Sequence, residues 1–123
     1  MKSATALKSA EQSQAAGAVI RRLRDALGLS QEVLAGVLGV SVRTVVRWER
    51  EGDEPPPLER ERLEWVAELV DIARSIMEDE DVGPWFKTPK AALGGRRPVD
   101  LLGSLRGLQQ IQRLLESTRW GTF

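Results

Sequence analysis

Residues 31–50 read QEVLAGVLGVSVRTVVRWER and predict two short helices joined by a tight turn. Ala35 stands fifth in this stretch, Gly39 ninth and Val45 fifteenth. The small side chain of Ala35 lets the two helices cross closely, Gly39 allows a sharp reversal of the backbone, and Val45 fills the angle between the helices. This spacing is the pattern of a helix-turn-helix unit.

A longer segment around this unit resembles a known family of regulators. Residues 20–52, IRRLRDALGLSQEVLAGVLGVSVRTVVRWEREG, resemble the Xre family of helix-turn-helix regulators. The resemblance implies a helical DNA-binding domain in which the helix that begins at Ser41 enters the major groove. It also implies an internal ion pair between Arg24 and Glu49, which assigns these two side chains to structure and not to DNA.

Two arginines one turn apart dominate the outer face of the second helix of the unit. Arg43 and Arg47 share that face, and each guanidinium has the geometry to bind the O6 and N7 atoms of guanine. The alternative is an ordinary solvated face. Arg21 and Arg22 are equally compatible with phosphate contacts and with a position in water. The residues expected to contact bases or phosphates are Gln31, Ser41, Val42, Arg43, Thr44, Val46, Arg47 and Arg50.

The hydrophobic pattern predicts an all-α fold, because apolar residues recur at spacings of three and four and no segment alternates with period two. A long helix predicted in the middle of the chain carries two apolar seams, which indicates either a homodimer or a helix covered on both sides by its own chain. The first seam consists of Leu63, Val66, Val70, Ala73 and Met77, and the second of Trp65, Leu69, Ile72 and Ile76. The predicted organisation is a flexible arm at 1–8, a helix-turn-helix domain at 9–52, a proline-rich linker at 53–57, a long central helix at 58–81 and a small helical C-terminal domain with a tail at 82–123.

Composition limits the chemistry that this chain can perform. The sequence contains no Cys, no His and no Tyr, which excludes disulfides, thiolate or imidazole metal sites, and nucleophilic catalysis built on Cys or on a Ser–His pair. The formal charge is zero, but residues 1–50 hold 8 Lys/Arg and 4 Asp/Glu, a balance of +4, and residues 51–123 hold 10 and 14, a balance of −4. The basic half suits a polyanion such as DNA. The carboxylates stand mostly beside cations at short helical spacing, such as Glu59 with Arg62, and no Gly-rich phosphate loop is present, so we expect neither an enzyme nor a cofactor or metal site.

The second half of the chain resembles another known domain. Residues 85–121, WFKTPKAALGGRRPVDLLGSLRGLQQIQRLLESTRWG, are similar to the C-terminal toxin-binding domain of Xre/MbcA/ParS antitoxins. The matching features are the aromatic pair at the start, a Pro-x-x-x-Leu-x-Gly step from Pro89, a Leu-Leu pair after Pro98, and an amphipathic helix. Lys90 departs from the family, which usually has asparagine there. The resemblance implies a RES-domain toxin as partner, an enzyme that consumes NAD or uses it to ADP-ribosylate a target.

The last residues of the chain offer large apolar side chains at a terminus. The resemblance implies that the C-terminal end of the antitoxin covers the NAD-binding cleft of the toxin. Trp120 and Phe123 are suited to act as anchors there. The alternative for Trp120 is to fold back onto the leucines of its own last helix. The residues expected to contact the toxin are Trp120, Gly121, Thr122 and Phe123.

Together these observations predict a cytoplasmic antitoxin of a type II toxin-antitoxin system with two activities. It would neutralise a RES-domain toxin by direct contact and repress its own operon by binding operator DNA, most simply as a homodimer. No membrane segment is expected, since the apolar runs are too short to span a bilayer. The alternative is a stand-alone Xre-like transcriptional repressor without a toxin partner.

Overall fold

The computed structural model describes residues 16–50 and 53–120, and in these ranges the chain is all-α, as predicted. An isolated bridge between Lys90 and Arg96 is the extent of β pairing within the described ranges. Two short 3-10 turns, Ala91–Leu93 and Pro98–Leu101, lie between the last two helices. The helices are, in chain order, α1 with its described part at 16–27, α2 Gln31–Leu38, α3 Val42–Arg50, α4 Pro57–Ile76, α5 Asp79–Lys87 and α6 Leu105–Arg119.

Serine residues cap three of these helices. Ser30, Ser41 and Ser104 each accept, through Oγ, a hydrogen bond from the backbone N–H three residues later, at 3.0–3.1 Å. This bond satisfies one of the N–H groups that a helix start leaves without a partner. Gly39 ends α2 in the left-handed conformation at φ 72°, which supplies the sharp turn before α3. The helix-turn-helix pattern therefore folds as its spacing predicts.

The long helix is shorter than the predicted range of 58–81. α4 ends at Ile76, Met77 is extended, and a separate helix, α5, begins at Asp79. The acidic residues 79–81 occupy the first turn of α5, where carboxylates interact favourably with the positive end of the helix dipole. The expectation that they continue the long helix is wrong, and the boundary predicted at residue 82 falls inside α5.

One hydrophobic core extends through both halves of the chain, since buried side chains from α1 to α6 form a single cluster. Close contacts join the helix-turn-helix unit to the second half. Lys87 Nζ donates a hydrogen bond to the carbonyl oxygen of Gly28 at 2.8 Å. A Cβ atom added at Gly103 would collide with the carbonyl oxygen of Val37, so glycine permits this approach. The two halves thus pack as one body.

Both apolar seams of α4 are covered by the same chain. Leu63 on one seam and Leu69 on the other are buried. Trp65, on the second seam, donates a hydrogen bond from Nε1 to Oε1 of Gln112 on α6, at 2.9 Å. This arrangement corresponds to the alternative in which the long helix is covered by its own chain. In the structure, α6 supplies cover for the second seam. The homodimer therefore remains a prediction.

Candidate functional sites

The outer face of α3 is set by the residues that this helix buries. Val45 and Trp48 point into the core, where both are almost fully buried. On a 3.6-residue helix this leaves the positions around Arg43 and Arg47 directed outward. A hollow of about 530 Å³ lies over this face and is lined by Ser41, Arg43, Thr44, Val46 and Arg47. Five of the eight predicted DNA contacts therefore share one surface.

The cations on this face differ in how they are bonded. Arg43 and Arg50 are exposed and make no hydrogen bond or ion pair within 16–50 and 53–120. Arg47 Nε lies 2.9 Å from Oδ2 of Asp53, and both side chains are about half exposed. An exposed pair of this kind contributes about 0–1 kcal/mol. Arg47 can therefore exchange Asp53 for a nucleic-acid partner at little cost.

The remaining predicted DNA contacts have short polar or apolar side chains. The hydroxyls of Ser41 and Thr44 are hydrogen-bonded to each other at 2.8 Å, and both lie at the start of α3. Val42 is 37% exposed, which leaves its methyl groups accessible. Val46 is partly buried on the same face. The N-terminal turn of α3 thus presents hydroxyl and methyl groups together.

A network around Glu49 joins the three helices of the N-terminal unit. Arg24 Nη1 lies 2.8 Å from Glu49 Oε1, so the ion pair implied by the family resemblance is present. Gln31 Nε2 donates to the other carboxylate oxygen at 3.1 Å, and Arg21 Nη1 donates to the Glu49 backbone carbonyl at 2.8 Å. Sequence reasoning missed that Gln31 and Arg21 belong to this network. Arg22 is exposed and has no partner among the described residues.

The aromatic pair Trp85 and Phe86, near the end of α5, belongs to the core. Phe86 is fully buried, and the Trp85 ring packs against it edge to face with centroids 5.0 Å apart. Lys90 Nζ lies 4.8 Å from the centroid of the Trp85 ring, a cation–π geometry. Partial burial lowers the pKa of Lys90 from its usual value. The lysine that departs from the family pattern therefore covers the face of this tryptophan.

The end of α6 carries the most exposed large apolar side chain among the residues described. Trp120 caps α6 and is 78% exposed, so it does not fold back onto Leu114 and Leu115. The helix before it is held in place, since Arg119 Nη2 donates to Ser75 Oγ on α4 at 3.0 Å. The predicted toxin contacts Gly121, Thr122 and Phe123 lie outside the described residues. Trp120 thus stands at the end of a firmly packed helix.

An exposed ion pair lies in the turn before α6. Arg97 Nε and Nη2 donate to the two carboxylate oxygens of Asp100, each at 2.9 Å. The hydrogen bonds from Arg97 lower the pKa of Asp100, and those to Asp100 raise the pKa of Arg97. This bidentate pair joins Arg97, just before the turn Pro98–Leu101, to Asp100 within it. The pair stabilises the turn, and each of the two charges has a partner.

No group of three or more Asp or Glu side chains in residues 16–50 and 53–120 is arranged to hold a metal ion. None of the helices in these ranges combines the length and apolar character that crossing a membrane requires.

Family models match both halves of the chain. The model described as the antitoxin Xre/MbcA/ParS C-terminal toxin-binding domain matches residues 69–121. A helix-turn-helix model matches residues 20–60. These matches cover the two surfaces described above, the outer face of α3 and the end of α6.

Individual relatives are also antitoxins. The chain is 39% identical over 80 residues to the probable mycobacterial cidal antitoxin Rv3188 of Mycobacterium tuberculosis, covering 64% of this chain and 67% of the relative. It is 27% identical over 97 residues to the mycobacterial cidal antitoxin MbcA of the same organism, covering 79% and 85%. The Prs ADP-ribosylating antitoxin of Sphingobium sp. is 26% identical over 114 residues, covering 85% and 72%.

A solved structure shares the fold. The crystal structure of the M. tuberculosis MbcT-MbcA toxin-antitoxin complex contains a chain that matches with a TM-score of 0.70 at 24% identity, covering 87% of this chain and 96% of that one. The fold and its two surfaces define a helix-turn-helix protein with an added helical binding domain. This chain belongs to the Xre/MbcA/ParS antitoxin family.

Proposed function

We propose that this chain is the antitoxin of a type II toxin-antitoxin system and that it neutralises a RES-domain toxin by direct binding. The observation that carries the proposal is Trp120, which is 78% exposed at the end of the domain matched by the toxin-binding model. An exposed tryptophan is a frequent anchor of protein interfaces. The relatives support the same partner class, since one is an ADP-ribosylating antitoxin by name and another is crystallised with its toxin.

The proposed mode of inhibition is occlusion of the NAD-binding cleft of the toxin. α6 is anchored to α4 and leaves Trp120 exposed at its C-terminal end. Trp120, Gly121, Thr122 and Phe123 then enter or cover the cleft, so that NAD and the antitoxin compete for the same space. In this mechanism the toxin consumes NAD or transfers ADP-ribose, and the antitoxin supplies only contact surface.

Removal of the tail tests this mode of inhibition. We expect the intact chain to form a stable complex with the RES-domain toxin encoded beside it and to suppress its NAD consumption. A chain truncated after Thr118 should lose most of that inhibition, because the exposed anchor is gone. The measurement is NAD turnover by purified toxin at increasing antitoxin concentration.

A matched control separates the tail from the rest of the domain. Leu105 is 50% exposed at the opposite end of α6, and Leu105→Ala should inhibit as well as the intact chain. Equal inhibition by the truncated and intact chains would rule out occlusion by the tail. Failure of the intact chain to bind the toxin would instead favour the alternative, a stand-alone Xre-like repressor.

We further propose that the same protein binds operator DNA through α3. Arg43 and Arg47 would read guanine edges in the major groove, and Val42 and Val46 would contact thymine methyl groups. The support is the shared outward face of these residues, where Arg43 has no partner in the described ranges.

The polar residues around this face are proposed to contact phosphates. Ser41, Thr44 and Arg50 lie at the ends of α3, where a phosphate oxygen can approach. Gln31 donates one of its two amide hydrogens to Glu49, and the second is available to donate to a phosphate. A homodimer would place two such helices in successive major grooves, about 34 Å apart, so the proposed operator contains two half-sites.

Replacement of the two outward arginines tests the DNA proposal. Arg43→Ala and Arg47→Ala should each lower affinity for the operator by about 1–3 kcal/mol, because each guanidinium is assigned to one base pair. The measurement is fluorescence anisotropy with the promoter DNA of the operon and with a scrambled duplex of the same length. Arg74→Ala is the control, since Arg74 is exposed on α4. Site-specific binding that survives both replacements would show that α3 does not read the operator.

A further inference from the structure

One face of α6 is lined with residues that the proposals above do not use. Five residues follow one another at spacings of four, three, four and three, which places them on one side of the helix. They are Arg106, Gln110, Arg113, Ser117 and Trp120. The opposite side carries the buried side chains of α6, including Leu108, Ile111 and Leu115. We refer to these five residues as the α6 stripe.

Two hollows follow the α6 stripe along the helix. The first, of about 340 Å³, is lined by Arg96, Leu101, Ser104, Arg106, Gly107 and Gln110. The second, of about 270 Å³, is lined by Ala92, Leu93, Gln110, Arg113, Leu114 and Ser117. Gln110 borders both hollows, so together they form a trough between α6 and the two 3-10 turns. Leu93, Leu101 and Leu114 contribute apolar surface to this trough beside its polar groups.

All charged side chains that line this trough are positive. Arg106 and Arg113 are exposed and make no hydrogen bond or ion pair within residues 16–50 and 53–120. Arg96 donates from Nε to the Leu93 carbonyl at 3.1 Å and remains exposed. No carboxylate lines either hollow. The trough therefore presents three arginines without a neutralising acid among the residues that line it.

We propose that the α6 stripe and its trough form a docking surface for an acidic face of the partner toxin. The proposal rests on the proposed antitoxin function and extends the contact from the tail to the length of α6. Arginine and tryptophan are the residue types most enriched among energetically dominant interface contacts. An acidic partner surface would pair with Arg106 and Arg113 while an apolar side chain of the partner enters the trough.

A protein partner fits this surface better than a nucleic acid. The trough combines leucine and alanine side chains with cations, and Trp120, at the end of the same helix, is large and exposed. Interfaces with nucleic acids are more polar and more positively charged than interfaces between proteins. The charge on the α6 stripe would also steer the toxin during encounter, which makes association faster at low salt.

Charge reversal on the α6 stripe tests the proposal. The double variant Arg106→Glu/Arg113→Glu should bind the RES-domain toxin encoded beside this chain at least about 10-fold more weakly, since each hot-spot contact exceeds about 1 kcal/mol. The loss should fall mainly on the association rate, and the salt dependence of binding should flatten. The measurement is surface plasmon resonance with immobilised toxin at two salt concentrations.

Three controls keep the result interpretable. Arg113→Glu alone is matched by Arg22→Glu, which changes net charge equally at an exposed site on α1 without a partner among the described residues and should bind within about 2-fold of the intact chain. Arg106→Lys/Arg113→Lys retains the charge and should retain the salt dependence. Circular dichroism of each variant verifies that the helices are intact.

The outcomes separate this inference from the proposed function. If the intact chain binds the toxin and the double reversal binds equally well, the inference is wrong and the proposed function stands. If the double reversal instead weakens binding to operator DNA and leaves toxin binding unchanged, the α6 stripe is a nucleic-acid surface. If the intact chain does not bind the toxin, both the proposed function and the inference fail.

Discussion

Glu49 shows how one buried carboxylate can organise a small domain. Its side chain is 8% exposed, and its oxygens accept from Arg24 and Gln31 at 2.8 and 3.1 Å. Its backbone carbonyl accepts from Arg21. A buried charge is costly unless it is paired and hydrogen-bonded, and here the carboxylate has a partner on each oxygen. The network therefore ties α1 and α2 to α3.

Removal of this carboxylate should destabilise the protein measurably. Glu49→Ala leaves Arg24 and Gln31 without their acceptor, and we expect the free energy of unfolding to fall by about 1–3 kcal/mol. Urea denaturation followed by circular dichroism measures the change as a lower midpoint at constant slope. The control is Glu61→Ala on α4, an exposed site where the change should stay within about 0.5 kcal/mol. Equal midpoints for the two variants would show that the network contributes nothing to stability.

At the scale of the elements, two helical glycines have opposite surroundings. Gly36 in α2 is exposed, and a Cβ added there meets no atom within 4 Å. Gly107 in α6 is buried, and a Cβ added there would collide with the Leu101 carbonyl oxygen. The absence of a side chain at Gly107 lets α6 lie directly on the turn Pro98–Leu101. Only the second glycine is required by packing.

Alanine substitution should therefore have opposite signs in the two helices. Gly36→Ala should stabilise the protein by about 0.5–1 kcal/mol, because alanine loses less backbone entropy in a helix. Gly107→Ala should destabilise it by about 1–3 kcal/mol, because the overpacking outweighs the same gain in propensity. Thermal unfolding of both variants beside the intact chain measures the difference. Stabilisation by Gly107→Ala would mean that α6 and the turn can separate freely.

The start of α3 was easier to predict than the end of α4. A serine cap is encoded by a few consecutive residues, and Ser41 caps α3 where the sequence predicts that helix to begin. The end of α4 was missed, because the apolar spacing continues past Ile76 while the backbone turns at Met77. That turn depends on where α5 packs, which local spacing does not report.

At the scale of the whole molecule, the helix-turn-helix unit and the C-terminal domain share a core. The hydrogen bond from Lys87 to Gly28 and the close approach of Gly103 to Val37 join segments that are far apart in sequence. Both units are therefore expected to unfold together in one transition. Charge is not uniform within each half of the chain. The second half is acidic overall, but it also carries the cationic α6 stripe.

The sequence by itself determined the all-α class, the helix-turn-helix unit and the outward face of α3, because each depends on spacing within about twenty residues. It also carried the resemblance to the antitoxin family through short motifs. Only the tertiary structure decided that α6 covers the second seam of α4, that Gln31 joins Glu49, and that Arg96, Arg106 and Arg113 border one trough. These features depend on the packing of distant segments, and helical periodicity specifies which side of a helix is apolar but not which neighbour covers it.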